Sequence, residues 1–199
     1  MIMLPERKVA PLAIDLTLVH RRSITSLYSN LVTRPTGRAI RSGIESQIAE
    51  MEEERSLCLS ILDFSQVRVL DYSCADEIVA KLLLRFQGAD RPGEAFFVVR
   101  GLQEHHQEPI EEVLEHHDLL PAAEVEDRGF QLLGRADRQQ RACWGTLLRL
   151  GRAAAPAVTE RTGIVPDAAT AVLSDLAERR VVVAYRDGTF CSLPSLLQE

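Results

Sequence analysis

The chain has 199 residues, 46% hydrophobic and 26% charged, which is the balance of a folded globular protein and not of a disordered one. That length suits one large domain or two small ones. A net charge of −6 argues against a chain that seeks nucleic acid with its whole surface, and no run approaches the roughly 18 apolar residues of a membrane helix.

The segment from Met1 to Lys8 is short and mixed and lacks the apolar stretch of a secretory signal, so a cytoplasmic location is expected. The four cysteines, Cys58, Cys74, Cys143 and Cys191, are far apart and show no paired spacing, which points to small buried thiols. Charge is uneven: residues 1–136 carry 15 basic and 22 acidic side chains, residues 137–199 carry 8 and 7. The first part is therefore acidic and the second nearly neutral, consistent with a boundary near residue 136.

Leu12 to Val19 alternates apolar and polar residues as a half-buried strand does, and Ser26 to Val32 reads as a second short strand. Thr33-Arg34-Pro35 opens a helix, a Thr cap with Pro in the first turn. Ala39, Ile40, Ile44, Ile48 and Met51 then recur at helical spacing, and Glu52-Glu53-Glu54-Arg55 reads as its solvated end. Leu57 to Leu62 is nearly all apolar, as in a strand covered on both faces. Ala75 to Phe86 is an amphipathic helix, Arg91-Pro92-Gly93 a turn and Ala95 to Val99 another buried strand. Glu108-Pro109 opens a helix through His117, and Val125 with Phe130 to Leu133 supplies closing strands. Strands alternating with helices predict an α/β sheet with helices packed on it over residues 8–135.

The second part, residues 137–199, has a different order. Gln140 to Leu150 is a helix, Ala153 to Thr162 a second ended by Gly163, and Pro166-Asp167 starts a third. Val181 to Ala184 and Phe190 to Leu193 are strands joined through "YRDGTF", whose Asp187-Gly188 is a tight-hairpin signal. Three helices followed by a hairpin is the order of a winged helix.

The most informative stretch joins strand to helix: "LDFSQVRVLDYSCADEIVAKLL". Asp71, followed by Tyr72 and Ser73, lies where a helix needs a cap, and a cap there contributes roughly 1 kcal/mol. Ser73 to Asp76 also fits capping-box spacing. Beyond capping, Tyr72 sits at a loop tip, and the turn lies at the carboxyl end of a strand, where open α/β sheets place functional sites.

These residues resemble the core of the STAS domain, found in sulphate transporters and anti-sigma-factor antagonists. The resemblance is closer to a bacterial STAS-like family through Asp63-Phe64, Val67 and Ala75-Asp76-Glu77, with "VTRPTGRAIRSGI" similar to that family's first helix. It covers about residues 10 to 135. It implies a non-enzymatic regulator that binds a protein partner through the turn residues Asp71, Tyr72, Ser73, Asp76 and Glu77. In antagonist members the residue after the aspartate is a phosphoacceptor Ser or Thr; here it is Tyr72, and Ser73 could serve only if the turn is shifted.

The remaining candidates carry less. His105-His106 and His116-His117 read as solvated histidines, because adjacent helical residues diverge by about 100° and a metal needs three or four converging ligands. No nucleotide-binding or nucleophile motif is present, so no enzyme activity, cofactor or metal is expected. The alternative function is a winged-helix transcriptional regulator with a STAS-like sensing or dimerising part, its phosphate contacts drawn from Arg149, Arg152, Arg161, Arg179, Arg180 and Arg186. That basic surface is thin. A protein partner, a homodimer among the forms it could take, is expected ahead of DNA, and no membrane.

Overall fold

Periodicity decides the first half. In the computed structural model, which describes residues 9–15, 30–51 and 57–197, the apolar runs become strands and the amphipathic runs become helices. β1 (Val9–Asp15), β3 (Leu57–Asp63), β5 (Ala95–Leu102), β6 (Ala122–Val125) and β7 (Gly129–Leu132) form one sheet in the order β1-β3-β5-β6-β7. The first four are parallel and β7 runs antiparallel to β6. A separate parallel pair joins β2 (Asn30–Leu31) to β4 (Val69–Leu70), with Leu31 opposite Leu70.

Helix α1 (Arg34–Met51) starts at the expected Thr33. Helix α2 covers residues 72–87 in three segments: an α turn Tyr72–Ala75, a π-helical stretch Asp76–Ala80 and an α-helical Lys81–Gln87. Helix α3 spans Glu104–His116. All three pack on one face of the sheet. Ile40, Ile44 and Ile48 of α1, Ile78 and Leu82 of α2 and Ile110, Val113 and Leu114 of α3 are buried there against Leu62, Phe97 and Val99.

Strand side chains alternate between faces, so β3 and β5 also present Leu59, Phe96 and Val98 on the other side. Those residues are buried too, because the second half of the chain covers them. It comprises α4 (Arg138–Leu150), β8 (Arg152–Ala154), α5 (Ala155–Thr162), α6 (Pro166–Glu178), β9 (Val182–Ala184) and β10 (Thr189–Ser192), ending in a 3-10 turn, Leu193–Leu197. β8, β10 and β9 form an antiparallel sheet in that order. Trp144, Leu147, Val181, Val183 and Leu193 share one core with Leu59, Phe96, Val98, Ala122 and Leu132. Change of topology near residue 136 is therefore not a gap in packing.

Several expected boundaries move. The first strand is described only at Val9–Asp15, so residues 16–19 lie outside the described part, as do residues 26–29 of the second expected strand and the acidic run 52–55. Helix α3 begins at Glu104, not at Glu108, and Pro109 lies inside it. The start is set by His106, whose Nδ1 accepts from the Gln103 amide at 3.2 Å. The expected helix from Ala153 begins two residues later, because Ala153 pairs with Phe190 as the edge of the second sheet. Alanine has little strand preference of its own, and tertiary pairing overrides it. The Asp187-Gly188 hairpin forms, with Gly188 at φ 81° and Tyr185 N–H donating to Thr189 O at 2.8 Å. All four cysteines are buried, and none forms a disulfide. Among the described residues no helix is long and apolar enough to cross a membrane.

Candidate functional site: the turn into helix α2 and the charges beneath it

The site grows from the end of β4. The Asp71 N–H donates to Leu31 O at 2.9 Å, which ties the turn to β2. Its carboxylate Oδ1 accepts from the Cys74 N–H at 2.8 Å and from Ser73 Oγ at 2.9 Å. Asp71 is thus the helix cap, with extended backbone at φ −95° and ψ 165°. The capping box expected from Ser73 to Asp76 does not form. Ser73 already lies in the first helical turn, and its hydroxyl points back to Asp71.

Tyr72 is the first helical residue and is 36% exposed. Val32 (45%) and Val69 (44%) are exposed beside it. Leu31 and Leu70 turn into the core, so alternation along the two short strands sends Val69 and Val32 outward. The three side chains make an apolar ledge over the helix start. Cys74, one turn in, is buried; its Sγ donates to Thr33 O at 3.0 Å. Burial, with the Asp71 carboxylate nearby, pushes its thiol up to about 11, so it is a poor nucleophile.

Asp76 and Glu77 lie below this surface, 6% and 0% exposed. Adjacent residues in an α-helix diverge, but here the chain widens into the π segment, closed by Lys81 N–H donating to Asp76 O. Both carboxylates meet a ring of cations. Arg34 Nη1 reaches Asp76 Oδ2 at 2.7 Å and Glu77 Oε1 at 3.0 Å. Arg38 Nε lies 3.4 Å and Lys81 Nζ 2.5 Å from Glu77 Oε1, and Arg41 Nη2 is 3.3 Å from Glu77 Oε2. On the other side, His117 Nε2 is 3.0 Å from Asp76 Oδ1. Burial alone would push the Asp76 carboxyl up; hydrogen bonds from Arg34, His117 and Lys81 outweigh it and hold it at about 2. Glu77 follows the same logic: burial raises it, and Lys81 and Arg34 bring it below the ordinary glutamate value.

Of the five residues expected to make one partner-facing turn, the structure brings Asp71, Tyr72 and Ser73 to the surface. It places Asp76 and Glu77 beneath, as the inner half of an ion cluster. Arg34, Arg38, Arg41 and Lys81 were not singled out from the sequence, although Arg34, Arg38 and Arg41 recur at helical spacing opposite the isoleucine stripe. Neither were His106 and His117, expected to be solvated. His106 is fully buried with Nε2 2.9 Å from Val67 O, and burial lowers its pKa. Among the described residues no group of His, Cys, Asp and Glu is placed to hold a metal.

The six arginines considered for phosphate contacts fall into two groups. Arg180 is 9% exposed; its Nε and Nη2 donate to Ala95 O at 3.1 and 2.8 Å, and its guanidinium lies 4.1 Å over the Phe96 ring. Arg179 pairs with Asp175 and with Asp118. Both turn toward the first half of the chain, Arg180 buried and Arg179 partly exposed. Arg152 is tied to Asp187 at 2.7 Å and stacks on Tyr185. Arg149, Arg161 and Arg186 are exposed but lie on separate elements.

Comparison with protein-family models, with curated proteins and with solved structures gives no match for this chain.

Proposed function

We propose that this is a non-enzymatic regulatory protein that docks a protein partner on the turn between β4 and α2. The observation that carries the reading is the ledge of Val32, Val69 and Tyr72, three of the large apolar side chains left exposed on the described surface, gathered at one helix start. Scattered exposed apolar residues need no explanation, but a cluster at a rigidly capped turn does. The resemblance to STAS domains, in which this turn meets partners, agrees with it. Saturation of Asp76 and Glu77 by cations and the raised Cys74 thiol count against an acid, base or nucleophile at the same place.

The order α4, β8, α5, α6 and then the β9–β10 hairpin supports reading the second half as a winged helix. A DNA-binding regulator is the alternative that this order favours. The outward side of α6 argues for the protein-docking reading instead. It shows Asp167, Thr170, Ala171 and Glu178 to solvent, side chains that neither read guanine nor attract phosphate.

The test is affinity capture from the protein's own cells with the intact chain and with Tyr72→Ala, quantified by mass spectrometry. A partner retained by the intact chain and lost with Tyr72→Ala is expected. Equal recovery by both forms would refute docking at this turn.

A further inference from the structure

A second set of buried charges lies where the two halves of the chain meet. A cavity of about 280 Å³ is formed there by the end of α2, the start of β5, the last turn of α6 and β9. Its apolar walls are Phe96, Ala177, Val182 and Ala184, and the exposed Ala89 and Glu178 mark its mouth. Ligand sites start at roughly 300 Å³, so this one suits a small molecule and not a peptide.

Three charged side chains make its inner end: Arg91, Glu94 and Arg180, with 16%, 22% and 9% of the side chain exposed. Glu94 gives one oxygen to each arginine. Arg91 Nε and Nη2 donate to its Oε1 at 3.0 and 2.5 Å, and Arg180 Nη2 donates to its Oε2 at 3.2 Å. Two guanidinium charges thus share a single carboxylate. Burial lowers the Arg180 pKa, and Glu94 offsets this only in part. A buried surplus of positive charge is stabilised by an anion beside it.

Arg180 also has donors left for one. Its Nε and Nη2 go to Ala95 O and Glu94; Nη1 donates to nothing among the described residues and is not sealed from solvent. Arg91 Nη1 has only the Gly88 carbonyl, at 3.5 Å. Neighbouring charges turn elsewhere: Asp90 pairs with Arg85, and Arg179 with Asp118 and Asp175. Glu178 at the mouth makes the whole lining neutral, which disfavours a polyanion, while the inner end keeps its surplus of one.

We infer that this cavity binds a small monocarboxylate with a short apolar body, its carboxylate on Arg180 Nη1 and Arg91 and its body against Phe96, Ala177 and Val182. The site is separate from the turn at Asp71 and does not depend on docking there. Its ligand touches both halves of the chain at once.

The experiment titrates the ¹⁵N-labelled full chain with benzoate and with pentanoate, and with benzamide and inorganic phosphate for comparison, following the backbone amides by nuclear magnetic resonance. Benzamide keeps the shape of benzoate without its charge. Saturable shifts centred on Phe96, Ala177 and Val182 are expected with a carboxylate, and benzamide and phosphate should bind at least about tenfold more weakly. Ala177→Leu fills the cavity from α6 and should lower carboxylate affinity about tenfold or more, with the fold intact by circular dichroism. Arg91→Gln should weaken it by a similar factor, and Glu178→Gln, at the exposed mouth, should strengthen it about twofold. No saturable shift with either carboxylate, shifts centred elsewhere, or equal binding of benzamide or phosphate overturns the assignment. So does undiminished affinity in Ala177→Leu or Arg91→Gln. Glu52, Glu53 and Glu54 lie outside the described residues. A gain of about tenfold when all three are changed to glutamine would make the cavity a seat for the chain's own acids, and would overturn it as well.

Discussion

Gly37 of α1 lies against Glu77 of α2 so closely that a Cβ added to it would sit 2.8 Å from the Glu77 Cβ and 3.2 Å from the Cys74 Cα. That missing side chain lets the two helices approach until three arginines of α1 reach over Glu77. An alanine there would gain about 1 kcal/mol of helix preference, but overpacking against groups fixed near the backbone costs about 1–3 kcal/mol. Gly37→Ala is therefore expected to destabilise the protein by up to about 2 kcal/mol in urea unfolding, against the usual sign for Gly→Ala in a helix. A more stable variant would show that the helices have room to part.

Acid should loosen the same cluster. Asp76 is held at about 2 when folded, against an ordinary value of 3.8 for a free aspartate. The unfolded chain therefore takes up this proton more readily than the folded one. The contribution of Asp76 is full above about pH 4 and is lost as pH falls toward 2. Glu77 shifts in the same direction and adds to the effect. The urea midpoint is expected to hold between pH 5 and 7 and to drop steadily between 4 and 2. In Asp76→Asn the midpoint should start lower and fall less over that window; an unchanged slope would place the loss elsewhere.

The two halves of the chain are expected to unfold together. Among the described residues the apolar face of Leu59, Phe96 and Val98 is covered by the second half, and Arg180 fastens the junction through Ala95 O and Glu94. Arg180 also holds a left-handed backbone, φ 59°, which costs a non-glycine residue of order 1 kcal/mol or more. Arg180→Ala loses the fastening and keeps the strain, whereas Arg180→Gly loses the fastening and sheds the strain. Both should be less stable than the intact chain, the alanine form by about 2–4 kcal/mol and the glycine form by about 1 less. Trp144, 3% exposed with its indole N–H on Val181 O, is the chain's single tryptophan. Its fluorescence should change at the same denaturant concentration as the far-ultraviolet dichroism. Two separate transitions would mean that residues 137–199 fold alone.

The elements themselves were legible because strands buried on both faces and helices with one apolar stripe write their periods directly into the chain. Leu57 to Leu62 and the isoleucines of α1 are the plain cases. Legibility failed where a distant partner decides. Ala153 is a strand residue only because Phe190 offers an edge, and α3 starts at Glu104 because His106 reaches back to Gln103. The turn was legible as a cap at Asp71. What lay behind it was not: no spacing rule says that Asp76 and Glu77 will turn inward together. That follows from the π-helical widening and from Gly37, two features whose meaning appears only when α1 and α2 are side by side.

DNA binding by the second half is expected to be weak and indifferent to sequence. Two of the six candidate arginines, Arg179 and Arg180, are spent on Asp118, Asp175, Glu94 and Ala95, and Arg152 is spent on Asp187. Arg149, Arg161 and Arg186 remain, and α6 offers acidic and small side chains where base contacts would have to be made. Three phosphate contacts would give a slope of about −2.7 in log affinity against log salt, far shallower than that of a dedicated repressor. Arg161→Ala with Arg186→Ala should lower what affinity there is equally on every duplex. Arg179→Ala with Arg180→Ala should lower stability instead, and affinity only as far as the protein unfolds. Fluorescence anisotropy of the full chain on random and genomic duplexes at several salt concentrations, run beside urea melts of the same variants, separates these effects. Nanomolar, sequence-selective binding at physiological salt would require a reading surface that α6 does not present, and would place the transcriptional regulator ahead of the docking protein.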